Sequence, residues 1–447
     1  MKNKRIVVES ISSLNDAAEN KDIADKTHYI AYTLNNNLFV NDGKNELIVT
    51  NDADENIING KSVHREEFGI MKGTFWSPTG MLLAFYKMDQ RMVANYPIID
   101  WTVRPAKNNY VKYPMAGEKS HEVTVGIYNV STGKTVFLQT GEPKEQYLTN
   151  ICWSPDEQHI YIAVLNREQN HLKLNSYNVA TGYLERTILE EKNEKYVHPV
   201  NPMLFVPKHS DQFIWQSEKD GYNQLYLYNI NGNLLKQLTK GNWIVTKVEG
   251  FDAKGTKLFY TSTAEGPVTR NLYSVDLKKG VSTRISAGDG IHYTMLSSNG
   301  KYSLDNFQSI TVPREIAVYS TQGKKINPIK ISENPLKEYK LGAVNIFKLK
   351  NENGDDLYCR MFKPVDFDST KKYPVIVYLY NGPNVQLVNN TWNAGGDLWF
   401  QYMAERGFVI FTLDGRGSAN RGAAFEQAVF RHLGTEEMKD QLVGINY

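Results

Sequence analysis

The chain has 447 residues, of which 41% are hydrophobic and 22% charged, and is long enough for two or more globular domains. Its 51 Lys and Arg face 49 Asp and Glu, a formal charge of +2, which excludes a global field that would gather nucleic acid or an anionic membrane. Two cysteines, Cys152 and Cys359, exclude a disulfide framework or a zinc cluster, and aromatics at 12%, with 27 Tyr, favour a β-rich fold.

The opening MKNKRIVVESISS is basic, but its apolar stretch, Ile6 to Val8, is too short for a secretory signal. No run approaches the ~18 apolar residues of a membrane span. From His28, HYIAYTLNNNLFVNDGKNELIV reads as part of a β-repeat, and the chain is expected to begin inside that repeat. The repeat itself recurs about every 45 to 50 residues. A tyrosine ends a strand and a turn containing Gly follows, as in Tyr128 to Gly133, Tyr177 to Gly182 and Tyr228 to Gly232, with looser copies at Tyr273 to Gly280 and Tyr319 to Gly323. Each copy is preceded by an aromatic or apolar residue, a short turn and an alternating strand: FWSPTG from Phe75, CWSPDE from Cys152, FVPKHS from Phe205, FDAKGT from Phe251 and LSSNGK from Leu296. Two hairpins per unit make four antiparallel strands, and a fixed period of such units predicts propeller blades, about six of them, over a β-sandwich. Residues 90–122 break the period and read as an insertion between strands.

After about residue 335 the pattern changes. Val375 to Tyr380 is an unbroken apolar run expected of a strand buried on both faces of a parallel sheet, and Gly407 to Leu413 is a second. Between them Trp392 to Arg406 carries helical spacing, and a further helix is expected from Glu436. Strand, helix and strand in this order open an α/β unit. The fold class is therefore mainly β: residues 1–338 a β-propeller, incomplete at its start, and residues 339–447 the beginning of an α/β domain, which the family resemblance given below implies is an α/β-hydrolase domain.

The nucleophile elbow of such a hydrolase is Gly-x-Ser-x-Gly, and the chain contains none. Ser418, in Asp414-Gly415-Arg416-Gly417-Ser418, has the wrong spacing, and its glycines are read as shaping a tight loop. His432 is read as a surface or capping residue. The adjacent carboxylates Glu66 and Glu67 stand in a largely apolar context apart from Arg65. Neighbouring carboxylates raise one another's pKa unless a cation answers them, and a free α-ammonium is such a cation. Without further context they are equally a solvated acidic face, and Tyr380 equally a packing aromatic at a strand end.

Several of these segments together resemble the dipeptidyl peptidase IV family of the prolyl oligopeptidase superfamily, in its bacterial form. They are Val63-His64-Arg65-Glu66-Glu67-Phe68-Gly69-Ile70 before Phe75-Trp76-Ser77-Pro78, Tyr113-Pro114-Met115-Ala116-Gly117, Tyr373 to Pro383, Leu413 to Ser418, and Arg431 to Glu436 with Asp440-Gln441. The resemblance implies a serine-type dipeptidyl peptidase that releases Xaa-Pro, and less well Xaa-Ala, from peptides with a free N-terminus. Glu66 and Glu67 would bind the α-ammonium and Tyr380 would donate to the oxyanion. The catalytic Ser, Asp and His are not found, so the peptidase domain is expected to be truncated before the nucleophile and the chain inactive by itself. No metal or organic cofactor is expected, nor nucleic acid, while a homodimer and a periplasmic, secreted or cell-surface location follow from family analogy. Animal members carry an Asp-Trp pair and further acidic residues where this chain has Lys61 to Arg65, so only the core pair carries over. The alternatives are a tripeptidyl or acylaminoacyl peptidase on the same scaffold, or a non-catalytic peptide-binding propeller.

Overall fold

The computed structural model describes residues 13–447, so the reading of Ile6 to Val8 lies outside the described residues. They form two compact units. The first runs to Phe205 and takes in Ile230–Gly232, and the second comprises Val206–Asn229 and Asn233–Tyr447.

The first unit is built of antiparallel sheets in chain order. Glu19–Ile23, Ile30–Leu34, Asn37–Asn41 and Glu46–Ile48 make the first, so the partial copy at His28 is a whole four-stranded sheet. Ile57–Asn59, Thr74–Trp76, Leu82–Asp89, Glu122–Asn129 and Lys134–Phe137 make the second, and Tyr147–Trp153, His159–Leu165, His171–Asn178 and Leu184–Lys192 the third. The insertion at 90–122 is a separate two-stranded hairpin, Asn95–Asp100 paired with Lys107–Lys112, whose Ile98, Ile99 and Trp101 are exposed.

The recurring residues have physical reasons. Ser154 N–H donates to the His159 carbonyl and His159 N–H donates back to Ser154 Oγ at 3.0 Å, closing a tight turn. Ser77 with Leu82 repeats this closure. The tryptophan before each serine ties its sheet to the preceding one: Trp76 Nε1 donates to the Asp22 carbonyl at 3.1 Å and Trp153 Nε1 to the Phe75 carbonyl at 3.0 Å. After the repeated tyrosines, Asn129 Oδ1 and Asn178 Oδ1 each accept two backbone N–H groups, which turns the chain without help from the ladder. Gly182 adopts φ 76°, and a Cβ there would lie 2.4 Å from the Phe137 carbonyl of the previous sheet. Glycine is required on both counts. Side chains from neighbouring sheets, among them Ala84, Tyr86, Val125, Ile127, Leu148 and Ile160, fuse into one apolar core.

The second unit repeats the scheme. Its sheets are Leu204–Val206 with His209–Ser217, Gln224–Asn229 and Leu234–Gln237, then Val245–Phe251 to Ser282–Arg284, then Ile291–Leu296 to Lys325–Ser332. Asp252 replaces the turn serine, its Oδ1 accepting Lys257 N–H at 2.9 Å, and Ser297 with Tyr302 restores it.

A different sheet follows, ordered Val344–Lys350, Asp356–Phe362, Val409–Asp414, Val375–Val377. The last two strands are parallel, Val375 opposite Val409, as the two apolar runs imply. Burial departs from expectation. Val409–Asp414 is wholly buried, whereas the strand at Val375 covers three residues and leaves Val375, Tyr378, Leu379 and Tyr380 exposed. Among the described residues this strand is at the sheet edge with one neighbour, and an apolar run cannot tell a central strand from an edge strand. The helix expected from Trp392 is also shorter, Leu398–Glu405, because the Asp397 carboxylate caps it by accepting Trp399 N–H at 2.7 Å. Glu436–Asn446 is helical as expected. Cys359 is buried, Cys152 is half-buried, and burial pushes both thiols up to about 12.

Candidate functional site

Glu66 and Glu67 lie on an unusual turn. His64, Arg65, Glu66 and Phe68 all have left-handed backbone angles, φ 54°, 53°, 64° and 57°, and Gly69 follows at 73°. Each such non-glycine residue costs on the order of 1 kcal/mol, so packing around the turn must impose the shape. Several contacts do so. Phe68 is buried with its ring 5.0 Å from Tyr147, and a Cβ on Gly69 would lie 2.3 Å from the Val200 carbonyl. Arg65 reaches the inserted hairpin, donating from Nη2 to the Lys112 carbonyl at 2.9 Å and lying 4.2 Å over the Tyr113 ring.

The turn thereby presents two successive carboxylates to solvent. Glu66 accepts a long hydrogen bond, 3.3 Å, from Ser62 Oγ, and neither carboxylate forms an ion pair among the described residues. A cavity of about 290 Å³ beside the turn is lined by Ser62, Val63, His64 and Arg65 with Gln90, Lys112 and His121, not by the carboxylates themselves. Two histidines flank the pair, His64 buried and His198 half-buried. His198 sits close enough to Glu67 for the carboxylate to favour its charge, yet burial wins and holds the imidazole below its ordinary range. His64 contacts His121, Nδ1 to Nε2, at 2.9 Å.

Tyr380 belongs to the second unit. It follows the edge strand and is 63% exposed, its ring lying over Gly382, where a Cβ would come within 2.0 Å of Cε1. The loop beyond it is anchored from Asp414. The Asp414 carboxylate accepts Leu387 N–H at 3.0 Å and Val388 N–H at 2.8 Å, and burial raises its pKa to about 6. Asn384 N–H donates to the Gly417 carbonyl at 3.0 Å, and Gln441 Nε2 donates to Asn381 Oδ1 at 2.9 Å. Arg416 is a structural hub: its guanidinium pairs with Asp440 at 2.9 Å, Glu352 at 2.7 Å and Glu436. The Asp-Gly-Arg-Gly-Ser segment thus holds a loop and a helix, as its glycines suggested, and Gly417 takes φ 94°. Ser418 Oγ is buried with no hydrogen-bond partner among the described residues, and His432 is exposed.

Two features escaped sequence reasoning. The left-handed turn breaks local preference at four residues, so no propensity rule finds it. His121 meets His64 from 57 positions away, and its neighbours carry no signal for that pairing. Glu66 and Glu67 fall in one unit and Tyr380 in the other.

Comparison with known proteins places these residues in context. Residues 2–314 match the family described as the dipeptidyl peptidase IV N-terminal region, and residues 396–447 match the prolyl oligopeptidase family. Dipeptidyl peptidase 4 of Trichophyton rubrum is 29% identical over 439 residues, covering 92% of this chain and 56% of that protein. A solved structure from Bacteroides ovatus described as a dipeptidyl aminopeptidase IV superposes with a TM-score of 0.92 at 42% identity, covering 97% of this chain and 63% of the other. Porphyromonas gingivalis dipeptidyl peptidase 4 gives 0.90 at 29% identity, covering 98% and 63%. The chain spans little more than half the length of the curated relative and under two thirds of these structures.

Proposed function

The chain belongs to the dipeptidyl peptidase IV family, and from that premise we propose that it is the recognition part of a serine exopeptidase that removes dipeptides from free N-termini, Xaa-Pro before Xaa-Ala. Residues 1–338 would form the β-propeller and residues 339–447 part of an α/β-hydrolase peptidase domain. The observation that supports the reading is the strained turn presenting the successive carboxylates Glu66 and Glu67 with no ion-pair partner among the described residues. A substrate α-ammonium supplies that cation through charge-assisted hydrogen bonds, and an acylated or internal amide nitrogen has no charge to offer.

Chemistry would be acyl transfer. A serine attacks the carbonyl two residues from the N-terminus, a histidine moves the proton, and the Tyr380 hydroxyl donates to the developing oxyanion. The exposure of Tyr380 and its fixed seat over Gly382 support that role, since a donor must be reachable and need little reorganisation. The nucleophile, base and orienting acid are assigned to no residue of this chain.

The test uses the full-length protein and a chromogenic Gly-Pro amide. Glu66→Gln and Glu67→Gln should each lower kcat/KM by roughly 10- to 100-fold, the equivalent of a charge-assisted hydrogen bond worth about 1.5–3 kcal/mol. The N-acetylated substrate should be poor with wild type and variants alike. Equal cleavage of free and acetylated substrate by wild type, or two silent variants, overturns the reading.

A further inference from the structure

The turn carrying Glu66 and Glu67 cannot hold its left-handed shape by local preference, and His64 is the buried residue at its entrance, itself at φ 54°. The His64 ring is stacked on His121 at 5.0 Å between centroids and meets Tyr147 edge-on at 5.0 Å. Leu148 N–H points at His64 Nε2 from 3.4 Å, so that nitrogen is the acceptor and the ring proton sits on Nδ1. Nδ1–H then donates to His121 Nε2 at 2.9 Å. Both acceptor nitrogens are in use only while both rings are neutral.

We propose that His64 and His121 are a positioning pair, holding the glutamate turn in its ammonium-binding shape and releasing it when either ring gains a proton. The inference rests on the reading of Glu66 and Glu67 given above. Protonating His121 at Nε2 sets N–H against N–H, and protonating His64 at Nε2 sets it against Leu148 N–H, so each possible site breaks a bond the turn depends on. The surroundings disfavour the charge. Burial holds His64 well below its ordinary range and lowers His121 to about 4, with Arg65 adding to the second. The titratable and charged groups around the pair are Arg65, Glu66 and Glu67 on the turn, Lys112 from the hairpin, Tyr147 from the next strand, and His198 beside Glu67. Protons have a route in, because both rings line the same cavity of about 290 Å³.

The experiment measures kcat and KM of the full-length protein for a free Gly-Pro amide from neutral pH down to about 4, the range of His121, with His121→Ala and His121→Gln. Losing one hydrogen bond that shapes a binding turn, His121→Ala should raise KM ~10-fold at neutral pH with kcat within ~2-fold of wild type. His121→Gln offers a carbonyl oxygen to His64 Nδ1–H and cannot titrate. It should restore the neutral KM and reduce the rise in KM that wild type shows as pH falls toward about 4, where His121 gains its proton. An unchanged KM in His121→Ala, a loss confined to kcat, or an acid rise in His121→Gln as large as that of wild type overturns the proposal. Should His121→Ala not fold, His121→Gln alone decides. Glu66→Gln and Glu67→Gln run alongside: if they are silent the ammonium site itself fails, and if they impair binding while His121→Ala does not, only the pair's role fails.

Discussion

At the scale of single residues, Tyr380 and Gly382 act together. The ring of Tyr380 occupies the space a Cβ at 382 would need, so the glycine sets where the hydroxyl is presented. Tyr380→Phe in the full-length enzyme should leave KM near wild type and lower kcat by ~10² to 10³, the signature of a donor used only in the transition state. A steady-state comparison on a Gly-Pro amide checks it, and an unchanged kcat returns Tyr380 to a packing role. Gly382→Ala should lower kcat as well while keeping the hydroxyl, because the ring must move. The role proposed for Tyr380 comes from the residues around it in the sequence, Tyr373-Pro374 and Gly382-Pro383, and not from its own surroundings. Its apolar neighbours suggested burial, and the edge position of the strand denies it.

At the scale of elements, legibility followed the range of the interactions. The repeated turns are closed by residues within five positions of each other, Ser154 with His159 or Asn178 with Thr181, so their spacing is written locally and was read from the sequence. The tryptophan hydrogen bonds to the preceding sheet are long-range, and only their period showed. The glutamate turn lies at the other extreme. Its backbone is imposed by Tyr147, Val200 and His121, residues distant in sequence, against the preference of four of its own members. Two expectations follow. Gly232→Ala, at φ 86° with a Cβ 2.1 Å from the Ile188 carbonyl, should destabilise by more than ~1 kcal/mol, visible as a lower denaturant midpoint at unchanged slope. Gly69→Ala meets the Val200 carbonyl and should displace the turn, raising KM for free-amine substrates while leaving kcat nearly intact. If KM does not move, the turn's shape is not what binding requires.

At the scale of the whole molecule, the residues proposed for recognition and for chemistry fall in different units. Glu66 and Glu67 lie in one unit and Tyr380 in the other, while Ser418 in the Asp-Gly-Arg-Gly-Ser loop is unsuited to attack. A nucleophilic serine needs a base within hydrogen-bond reach and an exposed oxygen. Ser418 Oγ is buried and makes no hydrogen bond among the described residues, and His432 is exposed. The nearby Asp414 is committed to the Leu387 and Val388 N–H groups, so it cannot orient a base without releasing the loop that follows Tyr380. The 447-residue chain incubated by itself with a chromogenic Gly-Pro amide should therefore release no product above background, and a serine-directed phosphonate should label no residue by mass spectrometry. Turnover that the phosphonate abolishes, with the label on Ser418, would mean that the loop opens and that the separation does not hold. The same chain should still discriminate peptides by their N-termini, since the turn and its supports, His64, His121, Phe68 and Tyr147, all lie in one unit. Its affinity for a free Gly-Pro peptide measured by calorimetry, against the N-acetylated form, isolates the ammonium contribution from every catalytic step.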